Sequence, residues 1–109
     1  MTSYLVQVAY TSAAWSAMMG NPQDRSKAIA SVAKKLGGKV QKFWMSFGEY
    51  DVVGIIDMPD SSAAAAFGIA IAGGGACKSI KTTPLLGLTE AKDAMAKAAE
   101  CGYKPPAAE

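Results

Sequence analysis

The chain has 109 residues, half of them hydrophobic and 18% charged, with a formal net charge of +2 and no histidine. That length builds one globular domain with a modest core. The missing histidine excludes Ser-His-Asp and Cys-His sites, His-containing zinc sites and His-ligated haem, and the scattered Lys and Arg leave no nucleic-acid footprint.

Only two cysteines occur, Cys77 and Cys101, far apart and outside any C-x-x-C pattern. They read as free, buried, inert thiols of a protein kept in a reducing cytoplasm. The apolar run after Tyr4 lacks a basic leading segment and is interrupted by Gln7, so it reads as a strand rather than a signal peptide. No stretch approaches the length of a membrane span.

In chain order, Tyr4 to Tyr10 is short and rich in aromatic and β-branched residues, the signature of a strand. Thr11 or Ser12 caps a short turn carrying Trp15, Met18 and Met19. Asn21-Pro22 then starts a longer helix with Pro at its first position. Ile29, Val32, Ala33 and Leu36 make one stripe of a 3.6-residue period, and Gly37-Gly38 stops it. Strands follow at Val40–Phe47 and Asp51–Met58, joined by Gly48-Glu49, a Gly-X loop suited to a type II′ turn. Pro59-Asp60-Ser61-Ser62 caps an Ala-rich helix that ends at Gly73-Gly74-Gly75. These glycines follow a helix and precede a strand, the wrong order for a phosphate-binding loop. Cys77 to Thr83 is the fourth strand, demoted by Pro84. Thr89-Glu90 opens a last helix with Ala91, Ala94, Met95 and Ala98 on one face, and residues 103–109 form a peripheral tail.

The order β-α-β-β-α-β-α predicts an α+β, ferredoxin-like βαββαβ domain spanning residues 1–109. It has a four-stranded antiparallel sheet, one open sheet face and an extra C-terminal helix. An open apolar face calls for a partner, which predicts a homodimer or higher oligomer. The II′ register puts Phe43, Met45, Phe47, Tyr50, Val52, Gly54 and Ile56 on the core face, with Gly54 leaving room for the Phe43 ring. Lys42, Trp44, Ser46, Asp51, Val53, Ile55 and Asp57 fall on the other face. Tyr4, Val6, Val8 and Tyr10 face the helices; Leu5, Gln7 and Ala9 face away. The methionines Met18, Met19, Met45 and Met95 read as core packing.

Asp51 has two readings. Beside a tight turn it accepts backbone N–H bonds and fixes the hairpin. In an apolar cavity on the open face it becomes a base of raised pKa, with Lys42 or Ser46 orienting an oxyanion. Trp44, Asp51, Val53 and Ile55 are the candidate ligand-binding residues. Lys42 and Asp57 are expected to form an ordinary cross-strand ion pair. No metal site and no cofactor are expected.

The segment "KVQKFWMSFGEYDVVGIIDMPD", with Gly48, Tyr50 and Asp51 in it, resembles the signature of GYD-domain proteins. "YLVQVAYT", "GGKV" and the C-terminal "AMAKAAECGYKPP" are similar to other parts of such proteins. The resemblance implies a small bacterial or archaeal protein of the dimeric α/β-barrel type. It brings no agreed catalytic role for Gly48, Tyr50 or Asp51. The expected function is therefore small-molecule binding in a cavity between the sheet faces of an oligomer. The alternative is a cofactor-independent enzyme, of isomerase or monooxygenase type, acting on a small aromatic or enolisable compound. A third reading is assembly through the Ala-rich helix and the open sheet. No nucleic-acid or membrane partner is expected.

Overall fold

The computed structural model describes residues 1–107. Four strands, β1 (Thr2–Tyr10), β2 (Lys39–Met45), β3 (Val52–Met58) and β4 (Cys77–Leu85), form one antiparallel sheet in the order β2-β3-β1-β4. Helices α1 (Ser12–Gly20) and α2 (Ser26–Lys35) connect β1 to β2. Helix α3 (Ser61–Gly73) connects β3 to β4, and α4 (Leu88–Glu100) follows β4. Helix α2 packs on β2 and α3 on β4 and β3, both on the same side of the sheet. The core between the layers holds Tyr4, Val6, Val8, Ala33, Ile56, Met58, Ala64 and Phe67. This is the expected ferredoxin-like α+β architecture. None of the described helices is long and apolar enough to cross a membrane.

The first connection differs from the sequence expectation. Thr11 accepts the Ala14 N–H at 3.0 Å and caps a full helix, α1, rather than a short turn. Asn21 ends that helix instead of starting the next. Asp24 then accepts the Ser26 N–H at 2.8 Å, and α2 begins there, leaving Pro22 in the connecting loop. A preorganised proline φ is useful at a helix start, but it is equally compatible with a turn. The Asp60 cap behaves as expected, accepting the Ala63 N–H at 2.8 Å. Strand β4 runs through Pro84 to Leu85, which its position at the sheet edge permits.

The faces follow the alternation read from the sequence. Tyr4, Val6 and Val8 lie opposite Ile56, Gly54 and Val52 under the helices, while Leu5 and Gln7 pair with Ile55 and Val53 on the open face. Phe43 pairs with Gly54, and a Cβ at position 54 would overlap the Phe43 ring, so only glycine fits this close approach. Two bulges escape the alternation. One inserts Gln41 into β2, so that Val40 joins Ile56 on the core side and Lys39 stands opposite Asp57. The other leaves Lys78 unpaired in β4, so that Cys77 pairs with Tyr10.

The first bulge corrects the expected Lys42–Asp57 ion pair. Asp57 accepts hydrogen bonds from the Ser3 hydroxyl at 2.6 Å and the Gln41 amide at 2.7 Å, while Lys42 Nζ lies 5.2 Å from the Trp44 ring centroid. The two hydrogen bonds hold the Asp57 carboxyl below its ordinary range, with Lys39 adding to the effect.

Other side chains expected in the core are outside it. Phe47 is 99% exposed, because the ladder stops before it and the chain swings away into the loop. Met19, Met45 and Met95 are exposed, and Met18 is half-buried. Cys101 is exposed at the end of α4, and Cys77 is half-buried. Of the tail, residues 103–107 are exposed, and 108–109 lie outside the described residues.

Candidate ligand cleft and the Asp51 loop

The β2–β3 loop is not closed by a type II′ turn. Gly48 takes φ +132°, a conformation that favours glycine, but no backbone hydrogen bond joins Phe47 to Tyr50 among the described residues. Three other bonds hold the loop. The Ser46 N–H donates to the Asp51 carbonyl at 2.8 Å, and the Ser46 hydroxyl donates to the Tyr50 carbonyl at 2.8 Å. The Asp51 N–H donates to the Val8 carbonyl at 2.8 Å. The Asp51 carboxylate completes the arrangement by accepting the Tyr10 N–H at 2.8 Å. Tyr10 sits at the β4 bulge, where the regular ladder fails and backbone donors need another acceptor. Asp51 therefore ties the loop to the end of β1.

On the helix side of the sheet, α2 and α3 stand apart and leave a cleft of about 470 Å³. Its floor is Val6, Val8, Phe43 and Val52 from the sheet, with Phe67 from α3. Ile29 and Val32 of α2 form one wall, and Ala70 and Ile71 of α3 the other. The functional groups lie at the end formed by Tyr10, Arg25 and Cys77. The β4 bulge brings Cys77 to the face that Tyr10 occupies, and the Thr11 N–H to Ala76 carbonyl bond, 3.0 Å, closes that end. The Tyr10 ring packs edge-on against Trp15, centroids 5.3 Å apart.

The electrostatics link these groups. Burial raises the Tyr10 phenol above its ordinary value; the Cys77 sulfur and Asp51 carboxylate reinforce this, and the Arg25 guanidinium opposes it. Burial alone pushes the Cys77 thiol up, so it stays protonated at neutral pH. Arg25 donates one hydrogen bond, to the Gln23 side chain at 3.1 Å, and keeps further donors for a ligand. The end of the cleft is thus a phenol, a neutral thiol and a guanidinium beside an apolar chamber. It can bind a polar group; the Asp24 carboxylate, which also lines the cleft beside Arg25, is held below its ordinary range by its hydrogen bonds with Ser26.

Of the residues expected to form a site on the open face, Trp44, Val53, Lys42 and Ile55 lie in two neighbouring rows there. Trp44, Val53 and Gln7 share one row across the sheet; Lys42, Ile55 and Leu5 share the next. Lys42 is four residues along the ladder from the position opposite Asp51, about 13 Å at strand spacing. Ser46 and Asp51 are adjacent, but each hydroxyl or carboxylate is engaged with backbone. Of the expected ligand residues only Trp44 lines the cleft; Asp51, Val53 and Ile55 do not. No cluster of His, Cys, Asp and Glu that could hold a metal occurs among the described residues. Arg25 and Tyr10 had no signal in the sequence. The register that joins Tyr10 to Cys77 depends on the bulge, and Arg25 reaches the cleft because the second helix starts at Ser26.

The strand order, the crossover connections and the helix-covered cleft define a ferredoxin-like α+β protein with a single-subunit chamber. The GYD domain family model matches residues 4–95, and the chain belongs to that family. Its Gly48, Tyr50 and Asp51 supply the left-handed backbone, the carbonyl acceptor and the carboxylate of the loop just described. No curated protein and no solved structure gives a significant match to the chain.

Proposed function

We propose that the protein binds a small molecule, largely apolar with one polar or anionic end, in the cleft between the helices and the sheet. The observation that carries this reading is the chamber itself. Its volume falls within the range of ligand sites, its lining is mostly apolar, and its polar groups are Tyr10 and Cys77 with the Gln23–Ser26 segment that carries Arg25 and Asp24. An anionic ligand end would pair with Arg25 and accept from the Tyr10 hydroxyl.

Binding is favoured over catalysis. Asp51 is the one carboxylate suggested as a base; its Oδ2 accepts the Tyr10 N–H, and the residue is not part of the cleft lining. Lys42 is drawn over the Trp44 ring, away from Asp51.

The test is titration with 8-anilino-1-naphthalenesulfonate, an apolar anion, followed by its fluorescence. One saturable site per chain is expected. Val52→Phe fills the floor and should abolish the signal. Arg25→Gln removes a charge-assisted bond and should weaken binding about tenfold or more. Unaltered binding by the Val52→Phe variant would place the probe elsewhere and reject the proposal.

A further inference from the structure

Among the described residues, helix α4 makes no extensive contact with another element of its own subunit. A helix of 13 residues is marginal alone in water, yet none of its residues is buried among the described residues, and Leu88 and Met95 are 90% and 67% exposed. Leu88, Ala91, Met95 and Ala98 recur at i, i+3, i+7 and i+10, one apolar stripe, with Glu90, Asp93, Lys97 and Glu100 on the opposite side. The chain is drawn out accordingly. Its longest extent is 58 Å and its radius of gyration 17.8 Å, against about 13 Å for a compact chain of this length.

A second element is also incompletely covered. Helix α3 has no charged residue in its 13, and only Ala64 and Phe67 are buried. A helix apolar all round is ordinarily enclosed on more than one side. Along its outer side runs a groove of about 420 Å³, lined by Ala65, Gly68 and Ala72 of α3 and by Ile80 and Thr82 of β4. Ile69 stands 71% exposed at this groove. A Cβ added at Gly68 would meet only Thr82 Oγ1, at 3.8 Å, so a large side chain has room to enter there.

We infer that α4 of a second copy of this chain lies in the α3–β4 groove, Leu88 and Met95 entering beside Gly68, and that the exchange is reciprocal. Helix and groove come from one chain, so the two are supplied in equal number. Both helices have 13 residues, about 20 Å, so their apolar surfaces match in length. The open sheet face suits the stripe less well, because Lys42, Lys81 and Asp57 belong to it, whereas the groove lining carries no charge. The area is adequate. A helix face about 20 Å by 10 Å presents on the order of 200 Å² in projection. Each subunit contributes a helix and a groove, roughly 400 Å² in projection, and interdigitated side chains bring the accessible area toward the ~800 Å² per partner of a stable interface. The contact backs the same helix whose inner side walls the ligand cleft, yet it stands independently of any ligand.

Sedimentation equilibrium of Ile69→Lys, Met95→Glu and their equimolar mixture tests the exchange. Both side chains are exposed in the single subunit, so each variant should keep its circular dichroism spectrum. The wild type is expected to dimerise, and each variant alone to dimerise at least tenfold more weakly. The mixture should recover a heterodimer within about threefold of wild type, since one contact is then Lys with Glu and the other is native. A monomeric wild type, single variants that dimerise like wild type, or a mixture without recovery would each overturn the inference. The last is the result expected if α4 folds onto its own subunit.

Discussion

The Asp51 carboxylate accepts the backbone N–H of Tyr10 at 2.8 Å, joining two residues 41 positions apart in the chain. The bond fastens the β2–β3 loop to the last residue of β1, at the point where a bulge interrupts the pairing of β1 with β4. Removing the acceptor leaves a partly buried donor without its partner. Asp51→Ala is therefore expected to cost about 1–3 kcal/mol, and Asp51→Asn, which retains an acceptor, less. Urea denaturation measures both. An Asp51→Ala protein as stable as wild type would show that the bond contributes nothing.

The pair Phe43 and Gly54 offers a packing test. Gly54→Ala forces the Phe43 ring aside and should destabilise by roughly 1–3 kcal/mol. In a Phe43→Leu background the same change should cost clearly less, because the ring edge it meets is gone. Equal costs in the two backgrounds would contradict the close approach.

The two thiols should separate cleanly. Cys101 is exposed, whereas Cys77 is half-buried with its thiol pKa raised by burial. Under iodoacetamide at neutral pH, mass spectrometry should record Cys101 modified first and Cys77 much later. Saturation with the anilinonaphthalene probe should slow Cys77 further and leave Cys101 unchanged. A Cys77 that reacts as fast as Cys101 would contradict its position in the cleft.

Asp57 makes stability depend on acidity in a defined direction. Its folded-state pKa is lowered by the Ser3 and Gln41 hydrogen bonds, so the folded state binds fewer protons than the unfolded state as the carboxylate titrates. The stabilisation is complete above the unfolded pKa, about 4, and is lost as pH falls through the lower folded value. Chemical denaturation from pH 6 to pH 2 should give a falling stability that is flatter in Asp57→Asn. An equally steep fall in that variant would assign the acid sensitivity to other carboxylates.

Much of this architecture is legible in the sequence, because alternating apolar residues and helix caps act locally. Val6 and Val8 against Leu5 and Gln7 assign the faces of β1, and Phe43 with Gly54 sets the register of β2 on β3. The bulges at Gln41 and Lys78 are not legible, since an extra residue in one strand is defined only by its partner strand. The ion pair expected for Lys42 failed for that reason, and the meeting of Tyr10 with Cys77 had no sequence signal. Asn21-Pro22 reads as a helix start but closes the preceding helix and leads into a loop, and that concealed Arg25. Phe47 and Met95 show a third limit. Their apolar side chains suggest burial, but a loop carries Phe47 into solvent, and α4 holds Met95 away from its own core.

Amide chemical-shift mapping during titration with the anilinonaphthalene probe tests ligand binding in the cleft most directly. Saturable shifts are expected at Tyr10, Arg25, Val52 and Cys77, around the chamber end and floor, and they should vanish in the Val52→Phe variant. Saturable shifts confined to Leu5, Val53 and Ile55 would put the ligand on the open sheet face, and an absence of saturable shifts would remove the cleft as a binding site; either result contradicts the account.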